Sequence, residues 1–105
     1  MNTEVAIHHN EYPATVREAV EDKIQGLAKY FDRIISVRAF LERQNEVHRA
    51  ELVANVGRGV VLVVDSRSAT IGEALDEAVD RMARALAKHK EKLVLGNRRK
   101  SRARP

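Results

Sequence analysis

Arg81, Arg84, Lys88 and Lys92 recur at steps of three and four, a spacing that sets four cations along one edge of a helix. Fixed positive charges at about one per turn can neutralise successive phosphates, so the chemistry they suit is tracking of a nucleic-acid backbone. Lys90 lies on a neighbouring ridge, and the basic run continues towards the end of the chain. An earlier amphipathic stretch adds Arg17, Lys23, Lys29 and Arg33, interspersed with Glu18, Glu21 and Asp22. Side by side on one sheet face, two such helices would line a groove for nucleic acid.

The overall balance hides this pattern. Residues 1–83 hold ten Lys or Arg against fourteen Asp or Glu, a net −4, whereas residues 84–105 hold nine against Glu91 alone, a net +8. Asymmetry of this kind points first to nucleic acid and second to an anionic membrane surface. A purely stabilising account also exists. Glu73, Asp76, Glu77 and Asp80 precede Arg81, Arg84, Lys88, Lys90 and Lys92, the order that complements a helix dipole.

Other chemistries lack their parts. With no cysteine, thiolate metal sites, disulfides and Cys nucleophiles are excluded. His8, His9, His48 and His89 show neither the i, i+4 helical spacing nor the carboxylate spacing of a metal site, and read as surface histidines. Gly57-Arg58-Gly59 falls between two strand-like runs, so it is a hairpin turn and not a phosphate loop opening a helix. The neighbouring carboxylates of Asp76, Glu77 and Asp80 sit among other helical charges, as on a solvated face. No nucleophile, base and orienting group come together, so we expect no catalytic residue, no metal, no cofactor and no small-molecule substrate. Aromatic residues are 4% of the chain, too few for a base-stacking sheet. Recognition by shape and phosphate is favoured over sequence readout.

The elements that must position these residues follow from periodicity. The 105 residues suit one domain. Val5 and Ile7 alternate with polar neighbours as in a short strand. Pro13 suits a helix start, and Val16, Val20, Ile24, Leu27 and Phe31 predict a helix of about 19 residues, with Gly26 inside it costing about 1 kcal/mol relative to Ala. From Ile35, alternation puts Val37, Ala39 and Leu41 with it on one face. Arg43 to Glu46 reads as a turn, then Ala50, Leu52, Ala54 and Val56 alternate in turn. Val60 to Ser66 forms a third strand of the meander. Thr70 and Glu73 have capping-box spacing, and Ile71, Leu75, Ala78, Val79, Met82, Leu86 and Leu93 mark the stripe of a second helix of about 25 residues, with Gly96-Asn97 as its stop.

The order β-α-β-β-β-α predicts an α+β fold of two layers, with two helices of about 28 and 37 Å on one face of a four-stranded sheet. The crossover from the first strand to the second should be right-handed. Its nearest physical analogue is the double-stranded RNA-binding fold. Residues 1–95 would form the domain and residues 96–105 a basic, disordered tail. Alternation leaves Phe40, Val53, Val61 and Val63 on the outer sheet face, an apolar patch suited to a homodimer or another partner protein. No apolar run approaches the ~18 residues of a membrane span, so no membrane partner is expected and the cytoplasm is the expected location.

Lys29-Tyr30-Phe31-Asp32-Arg33-Ile34, then His48-Arg49-Ala50, then Ala74-Leu75-Asp76 and the run from Asp80-Arg81-Met82 to Lys92-Leu93 together resemble the ribosome hibernation-promoting factor family, also called the ribosome-associated inhibitor or sigma-54 modulation protein family. The resemblance covers about residues 3 to 95. It implies the same fold and a non-enzymatic protein that binds the small ribosomal subunit and its rRNA in the channel of messenger RNA and the A-site and P-site transfer RNAs, halting translation. Carried over by position, it implies RNA-binding roles for Arg17, Lys23, Arg81, Arg84, Lys88, Lys90 and Lys92, which Lys29 joins as a cation of the first helix. The chain departs from the family at Gly26, where a second lysine is common, and at Thr70-Ile71-Gly72, which replaces Asp-Met-Tyr. The second domain of long members, which pairs ribosomes, does not fit within these 105 residues.

Overall fold

Alternation along the strands decides which sheet face is buried, and the helices cover that face. The computed structural model describes residues 1–8 and 12–103, with side chains followed to residue 95. Its elements are β1 (Asn2–His8), α1 (Ala14–Gln25), β2 (Ser36–Gln44), β3 (Val47–Asn55), β4 (Val61–Ser68) and α2 (Ile71–Ala103). The sheet order is β1-β2-β3-β4. β1 runs parallel to β2, from Asn2 opposite Ser36 to His8 opposite Glu42, and the other pairings are antiparallel. The α+β, β-α-β-β-β-α architecture is therefore as the sequence implies.

Val5, Val37, Ala39, Leu41, Ala50, Leu52 and Ala54 supply the buried sheet face. Against it, α1 brings Val20 and Ile24, and α2 brings Ala74, Leu75, Ala78, Met82 and Leu86. Alanines at 39, 50 and 54 let the helices approach, while Leu41, Leu52, Met82 and Leu86 fill the space between. Burying each of these four is worth about 1.5–3 kcal/mol. α1 lies over β1 and β2, and α2 over β3 and β4.

Four details differ from the sequence reading. The first α-helix ends at Gln25, and Gly26–Lys29 continues as a 3-10 turn. Gly26 is the least helix-favouring residue of the run, and the tighter turn still buries Leu27 and Phe31. Ile35 precedes β2 and is 52% exposed, with Ile34 buried in its place. Only half of the capping box forms. The Glu73 amide donates to Thr70 Oγ1 at 3.2 Å, but the Glu73 carboxylate accepts from Ser68 Oγ at 2.6 Å. Finally, α2 runs past the expected stop at Gly96-Asn97 as far as Ala103. Extending an existing helix lacks the nucleation cost.

Tight turns fix the register of the meander. Asn45, with φ 59°, allows a two-residue link between β2 and β3. Gly57, Arg58 and Gly59 all have positive φ (82°, 56° and 73°), so two of three left-handed positions carry the residue that adopts them without strain. The Gly57 amide donates to Asn55 Oδ1 at 3.0 Å.

Ser66 on β4 is the one buried polar residue among those described, and its hydroxyl has no hydrogen-bond partner there. A buried hydroxyl without a partner costs about 1–3 kcal/mol. Ser66→Ala should therefore raise the urea midpoint, with a gain of about 1 kcal/mol; a lowered midpoint would show that the hydroxyl is satisfied.

Candidate nucleic-acid interface

The eight basic residues singled out in the sequence fall into four settings. Arg17 is tied inward, its Nη1 donating to the Val5 carbonyl at 2.9 Å and so pinning α1 to β1. Lys23, Arg81 and Arg84 have acidic partners. Lys23 Nζ lies 2.6 Å from Asp76 and links the two helices, Arg81 pairs with Glu77 and donates to the Asp65 carbonyl on β4, and Arg84 pairs with Asp80. Lys29 Nζ sits 5.2 Å from the centre of the Tyr30 ring. Lys88, Lys90 and Lys92 are exposed and have no salt-bridge partner among the described residues.

These partners do not remove the cations from use. Exposed ion pairs one helical turn apart contribute a few tenths of a kcal/mol, and the Arg84 side chain is 75% exposed. A phosphate can displace Asp80 at little cost. Arg81 is held more firmly, because it spans from α2 to an edge strand.

The four residues expected on one edge of α2 stay together, and Lys90 lies apart from them. At about 100° per residue, Arg81, Arg84, Lys88 and Lys92 share the solvent crest and the flank towards β4. Lys90 falls about half a turn from Arg81, in line with Val79 and Ala83, on the flank towards α1. Lys23 and Lys29 flank the valley between the helices. That valley holds a cleft of about 240 Å³ with Leu27 and Val79 on its lining, Gly26 and Tyr30 beside them, and Asp22, Lys23 and Lys29 around it. Sequence reasoning did not single out Tyr30 or Asp22 as site residues. The available signal was a small residue, Gly26, followed within one turn by adjacent Lys29 and Tyr30.

The opposite sheet face differs in character. Arg49 on β3 donates to both carboxylate oxygens of Asp65, at 3.0 and 3.1 Å, and to Glu51 at 2.9 Å, with Glu42 at 3.5 Å. The Asp65 hydrogen bonds, followed by its charge and that of Glu51, hold the guanidinium pKa above its ordinary value, with burial opposing. Phe40 is shielded by the His8 ring at 5.8 Å and by Arg49 at 6.0 Å. Of the expected apolar patch, Val61 and Val63 are 52% and 58% exposed, while Phe40 and Val53 are half-buried.

The histidines prove to be packed. The Tyr12 hydroxyl and His48 Nδ1 form a hydrogen bond of 2.7 Å, and His89 stands edge-on to Phe31 at 5.2 Å. His9 lies outside the described residues. Among the described residues no group of three or more His, Asp or Glu could hold a metal ion, and no helix is long and apolar enough to cross a membrane.

A two-layer fold with a cation-lined helical side defines a class of small binding domains. Within that class, residues 3–94 match the family described as sigma 54 modulation protein / S30EA ribosomal protein, and the chain belongs to this family. The ribosome hibernation promoting factor of Azotobacter vinelandii is 30% identical over 94 residues, covering 90% of this chain and 87% of the relative. The protein of the same description from Escherichia coli K12 is 30% identical over 93 residues, covering 89% and 97%. Among solved structures, the Thermus thermophilus Protein Y N-terminal domain superposes with a TM-score of 0.76 at 26% identity, covering 85% of this chain and 99% of that one. A ribosomal subunit interface protein from Coxiella burnetii shares the fold with a TM-score of 0.79 at 14% identity, covering 87% and 99%. Family membership makes the chain a non-enzymatic protein.

Arg49 holds three carboxylates that would otherwise repel one another. Arg49→Leu should lower stability by about 1–2 kcal/mol, read from urea unfolding, while leaving nucleic-acid binding by the helical side unchanged. Equal stability of the variant would reduce the cluster to ornament.

Proposed function

We propose that this protein binds the small ribosomal subunit through its helical side, lies in the channel of messenger RNA and transfer RNA, and inhibits translation by occupying the A and P sites, in the cytoplasm. The single observation that carries the reading is the set of exposed cations on α2, Lys88, Lys90 and Lys92 beside the weakly paired Arg84, in a chain whose relatives are described as ribosome hibernation promoting factors. Arg81 completes the α2 set. Arg17, Lys23 and Lys29 on the first-helix side complete the RNA-binding set. Residues 1–95 are the ribosome-contacting unit, and the basic residues beyond extend it.

The physical logic is electrostatic. Backbone contacts position a protein on RNA without reading sequence, and each phosphate neutralised steepens the dependence of affinity on salt. Steric occlusion needs no covalent step.

The exposure of Val61 and Val63 favours a second reading, a homodimer through the outer sheet face with Phe40 and Val53 at its margin. Sedimentation equilibrium of the wild type against Val63→Lys tests it: a dimer that the substitution dissolves supports it, and a monomer at every concentration removes it.

Arg84→Glu with Lys88→Glu should abolish co-sedimentation with small subunits while circular dichroism and melting stay nearly unchanged. Wild-type binding should weaken with salt by a log-log slope of about −0.7 per phosphate contacted, and saturating messenger RNA with initiator transfer RNA should raise the apparent Kd. Salt-independent binding, or ribosomes that stay inactive after the protein is washed away, would refute occlusion through phosphate contacts.

A further inference from the structure

The cleft between the helices has a composition that phosphate tracking does not require. Its lining includes Leu27, which is fully buried, and Val79, which packs against the core. Tyr30 contributes an aromatic ring to the lining while remaining 37% exposed. Lys23 and Lys29 supply cations, and Asp22 supplies a carboxylate. Gly26 keeps one side open, since a Cβ built there meets nothing within 4 Å.

We propose that this cleft receives one unstacked nucleobase of the bound RNA, stacked on Tyr30, with the flanking phosphates held by Lys23 and Lys29. An apolar lining with an aromatic ring suits a base, and cations beside it suit the adjoining backbone. Lys29 already rests near the Tyr30 ring and can exchange that contact for a phosphate as the base takes its place. Lys23 can do the same from Asp76, because both side chains of that pair are substantially exposed. Asp22 gives the cleft a preference. A carboxylate accepts hydrogen bonds and donates none, so it favours a base with an exocyclic amino group over uracil, whose single N3–H donor is flanked by two carbonyl oxygens that repel the carboxylate.

Gly26 acquires a role in this arrangement. A larger side chain there would extend into the open side of the cleft, and φ is −62°, so the glycine is not needed for backbone geometry. Its smallness serves access. On the outer sheet face the Phe40 ring is already engaged by His8 and Arg49.

This inference rests on the small-subunit reading, and the experiment separates the two. Small ribosomal subunits saturated with the wild type, Tyr30→Ala, Tyr30→Phe, Gly26→Leu or Lys88→Glu are probed with dimethyl sulfate and kethoxal for amino-bearing bases, and with a carbodiimide for uridines. Co-sedimentation measures affinity in parallel. The wild type should protect one adenine, cytosine or guanine that Tyr30→Ala and Gly26→Leu both re-expose, with binding about ten-fold weaker, the scale of one lost stacking contact. Tyr30→Phe should keep the protection. Lys88→Glu should weaken binding yet keep it at saturation.

If the wild type co-sediments but no protection depends on Tyr30, or if the dependent base is a uridine, the base-binding cleft is wrong while small-subunit binding stands. If the wild type fails to co-sediment at low salt, both fall. Gly26→Leu at an unstrained exposed position keeps the test decisive should Tyr30→Ala melt early.

Discussion

The packing of two helices onto one face of the sheet is the constraint from which the rest of the molecule follows. Leu41 and Leu52 in the central strands meet Met82 and Leu86 of α2, all fully buried, while Ile24 and Leu27 close the layer from the first-helix side. Because both helices spend their apolar stripes there, their polar faces point the same way. Cations from distant parts of the chain thereby become one surface, and the sheet's outer face is left with its own Arg49-centred charge cluster.

That surface is graded. Where α2 begins, its cations are matched by acids one turn earlier, Arg81 by Glu77 and Arg84 by Asp80. Further along, Lys88, Lys90 and Lys92 face solvent without described acidic partners. A polyanion would meet increasing positive potential along the helix, which gives its approach a direction as well as an attraction. The i, i+4 pairs also stabilise the free helix modestly, so the same residues serve folding before they serve binding.

Much of this was legible in the sequence. Period-two alternation from Val37 to Leu41 and from Ala50 to Val56 placed the buried face correctly, because side chains on a strand have no choice but to alternate. Leu75, Ala78, Met82 and Leu86 likewise marked the buried stripe of α2. What escaped was whatever depended on three-dimensional neighbours. A helical repeat tells which residues share an edge but not what lies across from it, so the pairing of Lys23 with Asp76 and the bond from Arg81 to the Asp65 carbonyl had to come from the structure. Gly26 was read as a cost inside a long helix, yet it marks the change to a tighter turn. Glu73 chose Ser68 over the Thr70 amide, a competition between partners that spacing alone does not decide.

The bond from Arg81 to the Asp65 carbonyl has a consequence for how the molecule behaves in a crowded solution. β4 is an edge strand, and the backbone groups that an edge presents outward form a template for a foreign strand. Asp65 lies in the middle of the eight-residue strand, and the guanidinium occupies its carbonyl. The accessible edge is split into runs of four and three residues, at the short end of the range of strands found in sheets. The helix that carries the basic surface thus also blunts one edge of the sheet: one of its arginines interrupts the template that β4 would otherwise offer to a foreign strand.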